Sequence, residues 1–143
     1  FIIIAHPDFY SDALQLAAHH ERVDTLSTIV VTPQQIYNEF SSGAQDISAI
    51  RDFVKMFYDK ATITAELPQY LLMYGDGSYD NKKRSGSNTN YIPTYQSFNS
   101  TVLTNSYVSD DFYALPRVGI WRTTPLVRFL FQCLSQHENR RRA

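Results

Sequence analysis

The chain has 143 residues, 43% hydrophobic and 19% charged, which suits one ordinary α/β domain with a real core and differs from the make-up of a disordered segment. A formal net charge of −1 excludes a strongly basic nucleic-acid binder, and the two basic clusters, 82–84 and 140–142, lack interleaved aromatic residues and read as solvated charge. The single cysteine, Cys133, excludes an internal disulfide framework and every multi-cysteine zinc pattern.

Residues 1–5 (Phe-Ile-Ile-Ile-Ala) form a β-branched apolar run without polar alternation, as expected of a strand covered on both faces. The run is too short to span a membrane and follows no basic segment, so the expectation is an excised piece with no membrane span rather than a leader peptide. His6-Pro7-Asp8 breaks the strand, with Asp8 as the expected cap of a helix whose Phe9, Ala13, Leu16, Ala17 and His20 share one face. Residues 28–32 (Thr-Ile-Val-Val-Thr) predict a second strand ended by Pro33, and 34–40 a short helix. A longer helix starts with Asp46 as N-cap, carries Ile47, Ile50, Val54 and Phe57 on one face, and runs to about Lys60. Residues 70–74 (Tyr-Leu-Leu-Met-Tyr) give a third apolar strand.

This alternation predicts an α/β fold, a parallel sheet flanked by helices. Ligands of such sheets gather outside the carboxyl ends of the strands, here 6–8 and 75–77. From 75 to about 106 the chain is rich in Gly, Ser, Asn, Asp, Thr and Tyr without helical periodicity, a long connection of the kind that carries function.

In 75–80 (Gly-Asp-Gly-Ser-Tyr-Asp), Asp76, Ser78 and Asp80 offer oxygen atoms at alternate positions, a candidate metal site for which calcium is the natural ion. The EF-hand pattern fails at its sixth and twelfth places, occupied by Asn81 and Ser87, and no Walker lysine follows. The competing reading is a tight turn shaped by one Asp and two Gly. Asp110 and Asp111, among aromatic residues in 106–113, are candidate substrate-binding carboxylates. As neighbours in an extended segment they would point opposite ways and could not form a facing acid/base pair. His19, His20 and Glu21 diverge around a helix and read as a helix end rather than a metal site. Cys133 and His137 stand four apart, the minimal spacing for a thiolate–imidazole contact on one helix face, but papain-like and caspase-like sites do not draw both members from one helix turn and the pair is not taken as a site. No Gly-x-Ser-x-Gly elbow and no Gly-x-Gly-x-x-Gly fingerprint is present.

Taken together, 3–7 (Ile-Ile-Ala-His-Pro), 36–46 (Ile-Tyr-Asn-Glu-Phe-Ser-Ser-Gly-Ala-Gln-Asp), 49–53 (Ala-Ile-Arg-Asp-Phe) and 70–80 resemble the gingipain-like cysteine peptidase family. Residues 90–97 (Asn-Tyr-Ile-Pro-Thr-Tyr-Gln-Ser) and 106–113 are similar to its branch of cell-surface sortases in the type IX secretion system of Bacteroidetes. The resemblance covers 1 to about 114. It implies a caspase-like αβα sandwich, a Cys/His mechanism on peptide bonds, and location in the cell envelope, at the surface or outside the cell. It requires no cofactor. In the family the catalytic His and Cys follow later strands, so His6 is not the catalytic histidine and no catalytic residue is assigned within this chain. The resemblance puts Asp76 near the active-site edge and Asp110 and Asp111 beside the substrate pocket.

The pattern departs from the family at Leu115. Residues 1–114 carry 7 basic and 13 acidic residues, whereas 115–143 carry 6 basic residues, all Arg, and 1 acidic residue. The second segment is therefore expected to be an atypical tail, frameshifted or truncated; a separate reading is a poorly folding protein whose incomplete sheet leaves an unpaired edge after the third strand. Two functional expectations follow. One is a fragment of a cysteine-type endopeptidase or transpeptidase acting on secreted proteins, inactive alone, with protein substrates and secretion-complex partners. The other is a non-enzymatic module of the same fold that binds calcium or a protein.

Overall fold

The computed structural model describes residues 1–78, 90–98, 108–109, 111–114 and 128–132, with side chains for 1–78, 90–98 and 112–113. In chain order the elements are β1 (Ile2–Ala5), α1 (Tyr10–Val23), β2 (Ile29–Val31), α2 (Pro33–Phe40), α3 (Ile47–Lys60), β3 (Tyr70–Tyr74), β4 (Tyr95–Gln96), β5 (Val108–Ser109), α4 (Asp111–Ala114) and β6 (Arg128–Gln132). Four strands form a parallel sheet in the order β2-β1-β3-β6, and β4 pairs with β5 in a separate antiparallel ribbon.

The period-2 alternation of a strand explains how one apolar run fills two cores. Ile2 and Ile4, with Leu71 and Met73 of β3, pack against Ile36 and Tyr37 of α2 and Ile50, Phe53 and Val54 of α3. Ile3, Ala5 and Leu72 face the other way, onto Ala13 and Ala17 of α1. Helices thus cover both faces of the sheet, and the expected α/β sandwich of helix, sheet and helix is the observed one. Ile2 aligns with Ile29 of β2 and with Leu71 of β3, so β1 is hydrogen-bonded on both sides.

The helix starts show which local signals dominate. Asp46 caps α3 as its pattern implies, its Oδ1 accepting the Ser48 N–H at 2.7 Å. Before α2, Thr32 and Gln35 form a reciprocal capping box, and Pro33 is the first helical residue rather than the strand breaker. Asp8 does not cap α1. It lies inside a 3-10 turn, Pro7–Phe9, where the Asp8 N–H donates to His6 Nδ1 at 3.3 Å. The fixed φ of Pro7 starts this tighter turn one residue after the strand. Finally, β3 is not an edge, because Tyr70 to Tyr74 pair in parallel with Arg128 to Gln132 of β6.

Candidate functional site

The strand after α1 lies on one side of β1 and the strand after α3 on the other, which makes the junction of β1 and β3 the topological switch point. In open α/β sheets the crevice outside the carboxyl ends at such a point is where ligands bind. Here it is bordered by 6–9 after β1 and 75–78 after β3, joined by a backbone bond from His6 N–H to Tyr74 O at 3.2 Å.

A third segment, 90–94, closes over this end, and glycines make the approach feasible. The Asp76 carbonyl accepts N–H bonds from both Tyr91 and Ile92, at 2.9 and 3.0 Å. Gly75 has φ +154°, and a Cβ there would stand 3.0 Å from Ile92 Cγ1 and 3.1 Å from Tyr91 Cβ. A Cβ at Gly77 would overlap Thr94 Cγ2 and come within 3.1 Å of Ile92 O. Ser78 N–H donates to Oδ1 of the buried Asn90 at 3.0 Å. Tyr91 then lays its ring 4.6 Å from that of His6 and 5.2 Å from that of Phe9, while Phe9 meets Tyr74 at 6.0 Å. An aromatic patch with one imidazole therefore gathers at the carboxyl ends of β1 and β3.

Against this geometry the sequence candidates fall as follows. Asp76 sits at the carboxyl end of β3, and its Oδ1 accepts the Gly77 N–H at 2.9 Å, the arrangement of an aspartate shaping a turn. Ser78 is held through its backbone to Asn90. Asp80 and Asp110 lie outside the described residues, as do Cys133 and His137. Asp111 is the first residue of α4. Among the described residues no three His, Cys, Asp or Glu side chains gather as metal ligands would. His20 instead bonds Asp24 through Nδ1 at 2.6 Å and sets its ring edge against Phe1 at 5.2 Å, and Glu21 accepts from the Thr28 hydroxyl.

The arrangement that single-sequence reasoning missed is the aromatic set at the crevice and its neighbour on α4. Phe112 stacks on Tyr95 with centroids 4.6 Å apart and rings 7° from parallel, and the guanidinium carbon of Arg51 lies 4.8 Å from the Phe112 centroid. Tyr113, almost wholly buried, donates its hydroxyl to Pro93 O at 2.5 Å. Tyrosines within an irregular, polar stretch were the available signal, but their partners are tens of residues away.

A helix–sheet–helix sandwich with a topological switch point is the scaffold of many enzymes, and fold alone does not choose among them. The sequence does: the chain belongs to peptidase family C25, whose model matches residues 1–127. It is thereby related to cysteine peptidases, enzymes whose substrates are proteins. Among solved structures it is similar to PorU from Porphyromonas gingivalis, known from a crystal structure of its dimeric latent form, with 35% identity and a TM-score of 0.68. That likeness covers 81% of this chain and 12% of PorU, so the chain spans about an eighth of that relative. No curated protein sequence matches the chain significantly. No helix among the described residues is long and apolar enough to cross a membrane.

Proposed function

We propose that this chain is the amino-terminal part of a gingipain-like cysteine peptidase or transpeptidase domain and supplies the scaffold and one wall of its substrate edge. The observation that carries the reading is the C25 match over 1–127, on a parallel sheet of order β2-β1-β3-β6. In this reading the catalytic thiolate and imidazole come from polypeptide outside these residues. The thiolate attacks the peptide carbonyl, the imidazolium gives its proton to the departing amine, and a thioester remains. Water resolves that thioester to an acid; an amine resolves it to a new amide, which is the sortase outcome. Asp110 and Asp111 border the pocket, and the protein works in the cell envelope, at the surface or in the secreted fraction, with secretion-complex partners, as kinship with PorU suggests.

The experiment begins with the encoding DNA downstream of codon 113, translated in all frames for the family's His and Cys. The chain and any longer polypeptide so revealed are then assayed for casein hydrolysis and for transfer of acyl groups to glycine. The reading expects activity in the longer protein, lost on replacing its Cys by Ala, and none in the chain alone. A longer protein without either activity would refute it. In that case a melting temperature raised by calcium would favour the binding module, with Asp76, Ser78 and Asp80 as the ligand set.

A further inference from the structure

Segment 90–98 and α4 belong to no strand of the main sheet, so something else must fix them in place. Because α3 leads into β3 of a parallel sheet, it runs against the strands and its first turns lie at their carboxyl end. Arg51 stands in the second of those turns. Its guanidinium covers one side of the Phe112 ring at 4.8 Å, and that ring is stacked on Tyr95 at 4.6 Å. One cation and two rings thus tie three elements together: α3, α4 and β4. Since β4 pairs with β5 and β5 leads into α4, the tie holds both ends of the segment 95–114. Arg51 is a half-buried cation that, among the described residues, pairs with the carboxylate of its chain neighbour Asp52 at a loose 3.9 Å from Nε. A guanidinium spread flat on an aromatic face is a favoured use of arginine, and the attraction grows as water is excluded.

We propose that Arg51 is a positioning residue of the substrate edge: by stacking on Phe112 it sets the place of α4, and with it Asp111, the first residue of that helix. The assignment rests on the reading above that Asp111 borders the substrate pocket. Tyr113 is the competing anchor, because its buried ring and its bond to Pro93 would hold α4 without any help from a charge.

Hydrogen exchange of the amides of 108–114 distinguishes the two. Arg51→Met keeps an apolar stem of similar reach and removes the charge, and it is expected to speed exchange there about two- to five-fold while leaving β1 and α1 unchanged. Arg51→Lys is expected to restore part of the protection. In a Phe112→Leu background the Arg51→Met change is expected to have no further effect, because the ring that the charge acts on is gone. Unchanged exchange in Arg51→Met, or the same increase with and without Phe112, would overturn the proposal and leave Tyr113 as the anchor. Fluorescence anisotropy with labelled casein separates this from the functional reading. Weaker binding by both Arg51→Met and Asp111→Asn supports both. If the wild-type chain binds no casein, or Asp111→Asn binds it as wild type does, the role given to Asp111 fails while the exchange result still decides the role of Arg51.

Discussion

Tyr37 is 5% exposed, and its hydroxyl finds no hydrogen-bond partner among the described residues. A buried donor left in this state costs about 1–3 kcal/mol, so the ring's packing against the core retains the residue in spite of its hydroxyl. Burial, and secondarily the Asp46 carboxylate, push the phenol well above the ordinary tyrosine value. Below pH ~10 the phenol is protonated in both folded and unfolded chains and exerts no pH effect. Above it the unfolded chain sheds the proton and the folded chain does not, so stability falls as pH rises. Tyr37→Phe is therefore expected to stabilise the chain by about 1 kcal/mol in urea unfolding at pH 7, and to make the alkaline loss shallower. A destabilised Phe variant would mean that the hydroxyl has a partner in solution. The oppositely shifted group is Glu66, whose carboxyl is lowered by the Thr62 N–H and hydroxyl, at 2.8 and 2.9 Å. What that cap contributes is present above the usual carboxylate range and is lost as pH falls through the lowered value.

At the scale of elements, the turn after β3 and the segment 90–94 are fitted to each other without room for a methyl group. Gly77→Ala is expected to destabilise by about 1–3 kcal/mol, since the new Cβ meets Thr94 Cγ2 and the Ile92 carbonyl. The Thr94 hydroxyl is itself buried without a partner among the described residues, so Thr94→Ala removes the obstructing methyl at little polar cost. The double variant Gly77→Ala/Thr94→Ala should recover most of the loss in thermal unfolding, and strict additivity of the two changes would contradict the geometry. The elements legible in the sequence are those whose signal is local. The apolar runs at 1–5 and 70–74 became β1 and β3, and Asp46 with its 3.6-residue pattern became the start of α3. β4, β5 and α4 are two to four residues long, too short to show a period, and exist through pairing and stacking with distant partners. Likewise, Asp76 read as site-forming from its place after a strand, but nothing local foretold that its carbonyl would hold two amides of 91–92.

At the scale of the whole molecule, stability is concentrated where β1 is sandwiched. Ile3 and Ile4 are fully buried on opposite faces, one against α1 and the other against α2 and α3. Replacing either by Ala is expected to cost about 2–5 kcal/mol in denaturant unfolding. The two losses should be additive to within ~0.5 kcal/mol if the helical layers respond separately, and a large coupling would show that strain crosses the sheet. The strand order also dictates a sequence of events. Pairing β1 with β2 joins Ile2 to Ile29 across 27 residues, whereas pairing it with β3 joins Ile2 to Leu71 across 69. Closing the longer loop costs about 0.8 kcal/mol more in chain entropy, and it is that closure which brings the ends of β1 and β3 side by side. The crevice is thus expected to be among the last features to assemble during folding and among the first to open on partial unfolding. A chain emerging slowly from a ribosome would have β1, α1 and β2 available to pair well before β3 arrived to complete the switch point.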